Sequence, residues 1–330
     1  MFNALLTFLT ALAATLILLP PIIALTKRLK VRQTVLHYVK EHKGKSGTPT
    51  MGGAAFILAL PTCLIFAKGD KTLLLVALAV TVGYGIVGFL DDFIKVFYRR
   101  NEGLSAWQKI VFQLLIAVTV SLFAYFSGYV GDSVYSFFGF NEYKFGWLAI
   151  PLYVVIFLAL TNSVNLTDGL DGLAGGITLV YALFFAAIMG LYIVFDGGQA
   201  LEETQNLIFL CMALAGGLLG FLCFNSYPAK IFMGDTGALA LGGALASLAV
   251  FSKRVLIVPL LGIAYVMTAL SVIIQVLYYK KTKKRVFLMA PIHHHFQQKG
   301  VHESKIGFLY TAVTSVVGVI LLIIFFAVNG

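Results

Sequence analysis

Residues 162–172 read Asn162-Ser163-Val164-Asn165-Leu166-Thr167-Asp168-Gly169-Leu170-Asp171-Gly172 and separate two apolar runs, each long enough to cross a bilayer. Carboxylates are costly to place beside a membrane, so Asp168 and Asp171 at this junction indicate a functional site. If a helix begins near Thr167, both carboxylates lie in its first turn, where free N–H groups favour an anion. Two carboxylates would repel a phosphate unless a divalent cation lay between them. A helix cap followed by a turn is the simpler alternative for this segment taken alone.

The composition is that of a membrane protein. The chain has 330 residues, of which 60% are hydrophobic and only 12% charged, and its mean hydropathy is +0.93. Apolar runs recur from end to end, which favours one membrane domain over residues 1–330 rather than two soluble domains. The first apolar run lacks the features of a cleaved signal peptide, so we expect it to remain as a helix. Cys63, Cys211 and Cys223 show no pairing pattern and are expected to be free thiols.

The apolar runs predict an all-α polytopic integral membrane protein with about ten transmembrane helices. The predicted spans are 3–25, 52–67, 72–90, 106–127, 146–162, 172–195, 205–222, 237–252, 255–279 and 305–328. Loops on one face carry 19 of the 24 Lys and Arg residues. The positive-inside rule places that face in the cytoplasm and both termini outside. This asymmetry also accounts for the net charge of +10, so no nucleic-acid partner is expected.

The first two basic-face loops contain candidate site residues. Lys45 lies in a Gly/Thr/Pro segment whose backbone donors and hydroxyls suit an anionic ligand, although the spacing is not that of a Walker loop. Asp91 and Asp92 are adjacent at the predicted end of a span, where a helix C-terminus disfavours negative charge, so a functional role is favoured over a structural one. Lys95 lies one turn after Asp91 and is placed to pair with it or with a phosphate. Lys109 lies at the start of the next span, where it is either a ligand of the site or an anchor at the membrane boundary.

The loop after the seventh span contains a second glycine-aspartate motif. Asp235 lies in Gly-Asp-Thr-Gly at the start of a helix, beside free N–H donors. Phe232 is an aromatic residue placed to stack on a base or to anchor the membrane interface. Asn225 is a candidate ligand or a turn cap. Gln275, near the basic-face end of a later span, needs a hydrogen-bond partner if it is buried.

Three consecutive histidines, His293, His294 and His295, follow Ala290-Pro291-Ile292. On a helix, successive side chains diverge by about 100°, so the three cannot bind one metal ion together. Hydrogen bonding to a phosphate or a sugar is the preferred interpretation.

Five aspartates meet at this one membrane boundary from three distant segments of the chain. They are Asp91, Asp92, Asp168, Asp171 and Asp235. Carboxylate and water ligands suit Mg²⁺, and no cysteine is near enough in sequence for a thiolate site. The sequence therefore predicts a cation-dependent site on the basic face.

Six motifs resemble those of the phospho-N-acetylmuramoyl-pentapeptide transferases, in the polyprenyl-phosphate N-acetylhexosamine-1-phosphate transferase superfamily. They are T-P-T-M-G-G at 48–53, D-D-F-I-K at 91–95, N-L-T-D-G-L-D-G at 165–172, F-M-G-D-T-G at 232–237, S-V-I-I-Q at 271–275 and A-P-I-H-H-H-F at 290–296. The aspartate motifs occur across the superfamily. The first and last motifs are specific to the muramoyl-pentapeptide branch. Two positions depart from the family pattern, Ala238 in place of a common serine and Thr268 in place of a frequent glutamate.

The resemblance implies that UDP-N-acetylmuramoyl-pentapeptide and undecaprenyl phosphate give lipid I and UMP, with Mg²⁺, at the cytoplasmic face of the bacterial cell membrane. It implies Mg²⁺ on Asp235 and Asp168, and a catalytic set of Asp91, Asp92, Asp235, Lys95 and His293. The implied substrate-binding residues are Lys45, Thr50, Lys109, Asn165, Asp168, Gly169, Leu170, Asp171, Asn225, Phe232, Gln275, His294 and His295. A homodimer is compatible with the resemblance.

Two other functions share some of these features. A sister transferase that uses UDP-N-acetylglucosamine would keep the aspartate motifs, but T-P-T-M-G-G and A-P-I-H-H-H-F argue against it. A cation-coupled transporter would place acidic groups near the membrane midplane, often in paired halves, whereas here they gather at one surface and no repeat is evident. Within the transferase interpretation, either Asp91 or Asp92 deprotonates the lipid phosphate for direct attack, or one of them forms a phospho-enzyme. Direct attack is favoured because a lipid phosphate is already a competent nucleophile.

Overall fold

A computed structural model describes residues 2–29, 47–98, 102–137, 139, 141–195 and 202–329, and these are almost entirely helical. The α-helices are α1 Phe2–Arg28, α2 Gly53–Ala59, α3 Thr72–Phe97, α4 Ala106–Phe126, α5 Ala149–Thr167, α6 Leu173–Phe195, α7 Glu202–Asn225, α8 Gly234–Phe251, α9 Val258–Leu261, α10 Ile263–Thr282, α11 Ile292–Gln298 and α12 Glu303–Asn329. Short 3₁₀ helices occupy Leu60–Ile65, Gly146–Leu148 and Val255–Ile257. Strands β1 Ser133–Tyr135 and β2 Glu142–Lys144 form an antiparallel hairpin.

Within the described ranges, nine helices are long and apolar enough to cross a membrane, which confirms the all-α polytopic fold. The predicted span at 52–67 is shorter than expected, because α2 has seven residues and continues as six residues of 3₁₀ helix. Pro61 begins that change, since proline has no N–H for an α-helical hydrogen bond. The predicted span at 255–279 is divided into a 3₁₀ turn, α9 and α10, with Gly262 at the break.

Two helices extend beyond their predicted ends, and this changes the setting of the site. Helix α3 continues past residue 90 to Phe97, so Asp91 and Asp92 lie inside it. Helix α5 continues to Thr167, and α6 begins only at Leu173. The expectation of a helix starting near Thr167 is therefore wrong. The backbone N–H of Asp168 still donates to Val164 O at 3.1 Å, because helical hydrogen bonding continues past the point where the sequence stops being apolar.

Helix α8 is the centre of the bundle. All residues from Thr236 to Phe251 are buried, and the helix packs between α3 and α5. Its glycine and alanine residues permit this close approach. A Cβ on Gly242 would lie 2.3 Å from Thr161 Cα of α5, and a Cβ on Gly88 of α3 would lie 2.1 Å from the backbone oxygen of Asp235. Asp235 is thereby held against the end of α3.

The cysteine prediction is confirmed, since Cys63, Cys211 and Cys223 are all free. Cys63 and Cys211 are buried in the core, whereas Cys223 is exposed on α7. None of the three belongs to the cluster of Asp91, Asp92 and Asp235.

Candidate active site

Three carboxylates form the centre of the site. Asp91 and Asp92 come from the last two turns of α3, and Asp235 comes from the first turn of α8. One oxygen from each residue lies within 4.8 Å of the other two. Asp91 and Asp92 are almost completely buried, and such charges persist only when paired or bound to a cation. An all-oxygen donor set of this kind suits Mg²⁺.

The two neighbouring aspartates of α3 have different partners, as expected for residues 100° apart on a helix. Oδ2 of Asp92 accepts hydrogen bonds from both the backbone N–H and the hydroxyl of Thr236, at 2.9 and 2.8 Å. Oδ1 of Asp91 accepts one from the backbone N–H of Leu104 at 2.9 Å. Its Oδ2 lies 2.5 Å from the ammonium group of Lys95. Both carboxylates nevertheless belong to the same acidic cluster.

Asp235 is contacted by side chains from three other helices. Nζ of Lys95 on α3 lies 2.8 Å from its Oδ2, and Nζ of Lys109 on α4 lies 3.0 Å from the same atom. The amide Nδ2 of Asn165, in the last turn of α5, donates to Oδ1 at 2.6 Å. The cluster holds three carboxyl groups but only two lysines, so a cation fits among them.

The segment 168–172 is a turn between α5 and α6, so the aspartates of this turn are not on a helix face. Among the described residues, the Asp168 carboxylate makes no hydrogen bond, and it lies outside the group of three mutually close acids. Burial, and then the negative charges of Asp235, Asp92 and Asp171, raise the pKa of Asp168 to about 8. Such a carboxyl would ionise more readily beside a bound cation.

Two hydrogen-bonded side chains attach this turn to its neighbours. Oδ2 of Asp171 accepts from the backbone N–H of Ala229 at 3.0 Å. Oδ1 of Asn225 accepts from Gly172 N–H at 3.1 Å, and its Nδ2 donates to Ile231 O at 2.9 Å. The turn and the 226–233 loop therefore form one surface beside the acidic cluster.

The motifs at 48–53 and 232–237 pair through their backbones. Phe232 N–H donates to Pro49 O at 2.8 Å, and Phe232 O accepts from Gly52 N–H at 2.9 Å. Gly53 N–H donates to Met233 O at 3.0 Å. Phe232 is half-buried, and Thr50, in the 48–53 motif, is buried. Lys45 lies outside the described residues.

The three histidines lie on the short helix α11, so their side chains diverge as predicted. His293 is fully buried, and neither of its ring nitrogens has a hydrogen-bond partner. Burial, and then the neighbouring His294, lower the pKa of His293 to about 3. A Cβ on Gly169 would lie 2.4 Å from Nε2 of His293, so only glycine lets the 168–172 turn approach this ring.

The other histidines and Gln275 have partners within their own segment. Nδ1 of His294 lies 3.1 Å from Oε1 of Gln297, and Nδ1 of His295 accepts from Leu288 N–H at 3.1 Å. Oε1 of Gln275, which is half-buried, accepts from the backbone N–H groups of Val286 and Phe287 at 3.1 and 2.9 Å. Gln275 therefore holds the segment that leads into α11.

Comparison with known proteins identifies the family. A model described as glycosyl transferase family 4 matches residues 74–253, which span the chain from α3 to α8. A phospho-N-acetylmuramoyl-pentapeptide-transferase signature matches residues 45–57. A protein of that name from Acetivibrio thermocellus is 43% identical over 93% of this chain and 91% of its own length. The chain belongs to the phospho-N-acetylmuramoyl-pentapeptide-transferase family. Relatives of the same name from Clostridioides difficile and Clostridium novyi are 42% and 39% identical, over 96% and 98% of this chain and 97% of each relative.

The transferase fold brings most of the predicted residues together, but it also uses side chains that the motifs did not single out. Thr236 supplies two hydrogen bonds to Asp92, and its hydroxyl within the Gly-Asp-Thr-Gly motif was an available signal. Glu303, at the start of α12, accepts a hydrogen bond from the backbone N–H of Asp171 and is nearly buried. No local pattern marks Glu303, because its contact joins positions far apart in the sequence.

Proposed function

We propose that this protein transfers phospho-N-acetylmuramoyl-pentapeptide from its UDP-linked precursor to undecaprenyl phosphate, giving lipid I and UMP in the first membrane step of peptidoglycan synthesis. The observation that carries the proposal is the cluster of Asp91, Asp92 and Asp235 with Lys95 and Lys109, in a chain of this family. Three helices, α3, α4 and α8, bring these groups to one membrane boundary. A lipid phosphate and a soluble diphosphate meet at such a boundary.

Phosphoryl transfer requires charge neutralisation and alignment more than covalent help from the protein. Asp235 is the proposed principal ligand for Mg²⁺, with Asp91 and Asp92 within reach of the same ion, and the role of Asp168 as a second ligand stays a prediction. When bound, Mg²⁺ would neutralise charge on the diphosphate. Lys95 and Lys109 face the same space and are proposed to hold the phosphates by charge.

The nucleoside is proposed to bind beside the paired motifs. Phe232 offers a half-buried ring, and its backbone is held by Pro49 and Gly52. The 168–172 turn, with Gly169, Leu170 and Asp171, forms the adjoining surface. Lys45, Thr50, Asn225 and Gln275 stay predicted members of this pocket, and the histidines of α11 are proposed to lie near the phosphates or sugar.

The site is proposed to face the cytoplasm from a bacterial plasma membrane. The support is the concentration of Lys and Arg on the face that carries the aspartates. Both termini then lie outside. Assembly as a homodimer stays an expectation.

The reaction is tested with purified enzyme in detergent, Mg²⁺, undecaprenyl phosphate and labelled UDP-N-acetylmuramoyl-pentapeptide. We expect a lipid-linked labelled product and one UMP per product, both lost when EDTA removes the divalent cation. A parallel reaction with UDP-N-acetylglucosamine tests the sister activity and is expected to give no product. Product from UDP-N-acetylglucosamine alone would replace the proposed substrate, and full activity in EDTA would remove the cation from the proposal.

A further inference from the structure

A cleft of about 620 Å³ lies on the basic face, separate from the acidic cluster. One wall is a stripe of α1 formed by Pro20, Ile23, Ala24 and Lys27, whose spacing places them on one side of the helix. The opposite wall has two parts. One is residues 47–49, and the other is Phe224 at the end of α7 with Ala229 and Lys230 in the loop that follows. The cleft is therefore apolar along its length, with two lysines among its lining residues.

The two lysines of the cleft are a source of positive charge. Lys27 and Lys230 are exposed, and neither forms an ion pair with a carboxylate of the described residues. Nζ of Lys230 lies 5.8 Å from the ring centroid of Phe224, so the ammonium group is held over the cleft wall. The site thus combines two cations with an aliphatic and aromatic surface.

This combination matches an amphipathic anion rather than a fully soluble one. Much of α1 is exposed along its apolar length, so the cleft is continuous with a surface that faces the bilayer. Lysines at the membrane boundary attract anionic headgroups, and an apolar cleft of this size accommodates the adjoining methylene groups. We propose that the cleft binds an anionic glycerophospholipid, with its phosphate between Lys27 and Lys230 and the start of an acyl chain along Ile23 and Ala24.

The position of this lipid would matter to the enzyme. Pro49 lines the cleft, and its carbonyl oxygen accepts the hydrogen bond from Phe232 N–H. A bound lipid would therefore pack against the reverse side of the segment that holds the Phe232 ring. The lipid site does not depend on the proposed reaction, because its binding can be measured without substrate.

The test is native mass spectrometry of the full-length protein released from nanodiscs that contain either phosphatidylglycerol or phosphatidylcholine with the same acyl chains. The wild type should retain one phosphatidylglycerol molecule and no phosphatidylcholine. The double variant Lys27→Gln/Lys230→Gln should retain at least about tenfold less phosphatidylglycerol than the wild type. The matched double variant Lys280→Gln/Lys281→Gln removes the same charge from the same face and should retain the lipid as the wild type does. Equal losses of phosphatidylglycerol in the two double variants would show only a general attraction of lysines for anionic headgroups and would overturn the proposal.

Two further measurements distinguish binding inside the cleft from attraction by its two lysines alone. Ala24→Trp fills the cleft with both lysines intact and should abolish retention, whereas Leu25→Trp, on an exposed neighbouring position outside the cleft, should not. Retention unchanged in Ala24→Trp would place the lipid elsewhere. Displacement of the lipid by millimolar inorganic phosphate would assign the site to free phosphate and overturn the lipid proposal. Elution as a monodisperse species, with wild-type affinity for UMP, verifies that each variant is folded.

Discussion

Asp235 is the residue on which the site depends most. It lies on α8 and is contacted by Lys95 of α3, Lys109 of α4 and Asn165 of α5. Its carboxylate therefore joins four helices as well as offering oxygen ligands to a cation. A change at this position alters the charge of the cluster and the partners of Lys95, Lys109 and Asn165 together.

Asp235→Asn is expected to reduce turnover by at least about 10²–10³-fold, the usual cost of removing one group that stabilises developing charge. The amide nearly preserves the shape of the side chain but removes its charge. Turnover is measured over a range of Mg²⁺ concentrations, with UMP affinity as the control for folding. Substantial activity in folded Asp235→Asn would show that Asp235 is not the principal metal ligand.

Phe232→Ala is expected to weaken UMP binding. Stacking of an aromatic side chain on a base contributes about 1–3 kcal/mol, which corresponds to roughly 5- to 150-fold in affinity. The backbone contacts of Phe232 do not involve its ring, so the fold of the loop should survive. Isothermal titration calorimetry with UMP measures the effect. An unchanged affinity would make Phe232 an interface anchor instead.

Direct attack by the lipid phosphate predicts that enzyme given only the sugar nucleotide releases no UMP beyond trace hydrolysis. A covalent route would release up to one UMP per active site and exchange labelled UMP back into substrate. Rapid-quench analysis of lipid-free enzyme distinguishes the two. A stoichiometric UMP burst, lost in either Asp91→Asn or Asp92→Asn, would contradict direct attack.

Direct attack also predicts that Asp91→Asn and Asp92→Asn are unequal, because the two carboxylates have different partners. The phosphate monoester loses its second proton near pH 6, so most of the lipid phosphate is ionised at pH 7. The variant that lacks the base should recover part of its rate as pH rises, and the other should not. Turnover of both variants between mildly acidic and mildly alkaline pH is the measurement. Identical pH profiles would contradict the assignment of a base to this pair.

At the scale of elements, the site depends on how closely α3 and α8 approach each other. Gly88 provides the contact, because a Cβ there would lie 2.1 Å from Asp235 O. Close packing at this point brings the C-terminal turns of α3 to the N-terminal turn of α8. The geometry of the three carboxylates is therefore set by a residue that carries no functional group.

Gly88→Ala is expected to lower thermal stability, since overpacking typically costs about 1–3 kcal/mol, and to reduce turnover by displacing Asp235. Gly83→Ala on the same helix is the matched control, because a Cβ there would meet its nearest atom, Ile116 Cδ1, at an ordinary 3.5 Å. Thermal unfolding in detergent and turnover are measured for both. Equal behaviour of the two variants would show that the α3–α8 approach tolerates a side chain.

At the scale of the whole molecule, charge asymmetry predicts the orientation of the bundle in the membrane. Ser304 lies on the basic face at the start of α12, and Asn141 lies on the opposite face in the β1–β2 connection; both are exposed. After Cys223→Ser, a membrane-impermeant maleimide should label Asn141→Cys in intact cells. It should label Ser304→Cys only after permeabilisation. The reverse pattern would place the acidic cluster outside the cell.

The sequence alone was sufficient for the fold class and the family motifs, whereas the membrane face on which the aspartates lie stays a prediction. Long apolar runs must form helices in a bilayer, because only a helix satisfies every backbone group within one segment. Alternation of the loops then brings Asp91, Asp168 and Asp235 to one boundary. Hydropathy does not locate the helix ends, because backbone hydrogen bonding can continue through polar residues beyond the apolar run. For that reason the predicted end of α5 at residue 162 falls short of the observed end at Thr167, whereas the predicted start of α6 at residue 172 agrees with Leu173 to within one residue.

Only the tertiary structure decided which side chains touch. Asp235 contacts Lys95 across 140 positions, Lys109 across 126 and Asn165 across 70, and no local pattern encodes such pairs. Their distances follow from the rotation and separation of packed helices, which the small residues of α8 set. The same dependence on packing explains Thr236 and Glu303, whose roles became visible only once α8 and α12 were in place. Sequence patterns report what each segment can do, whereas the hydrogen bonds between segments depend on distances that only the packed bundle determines.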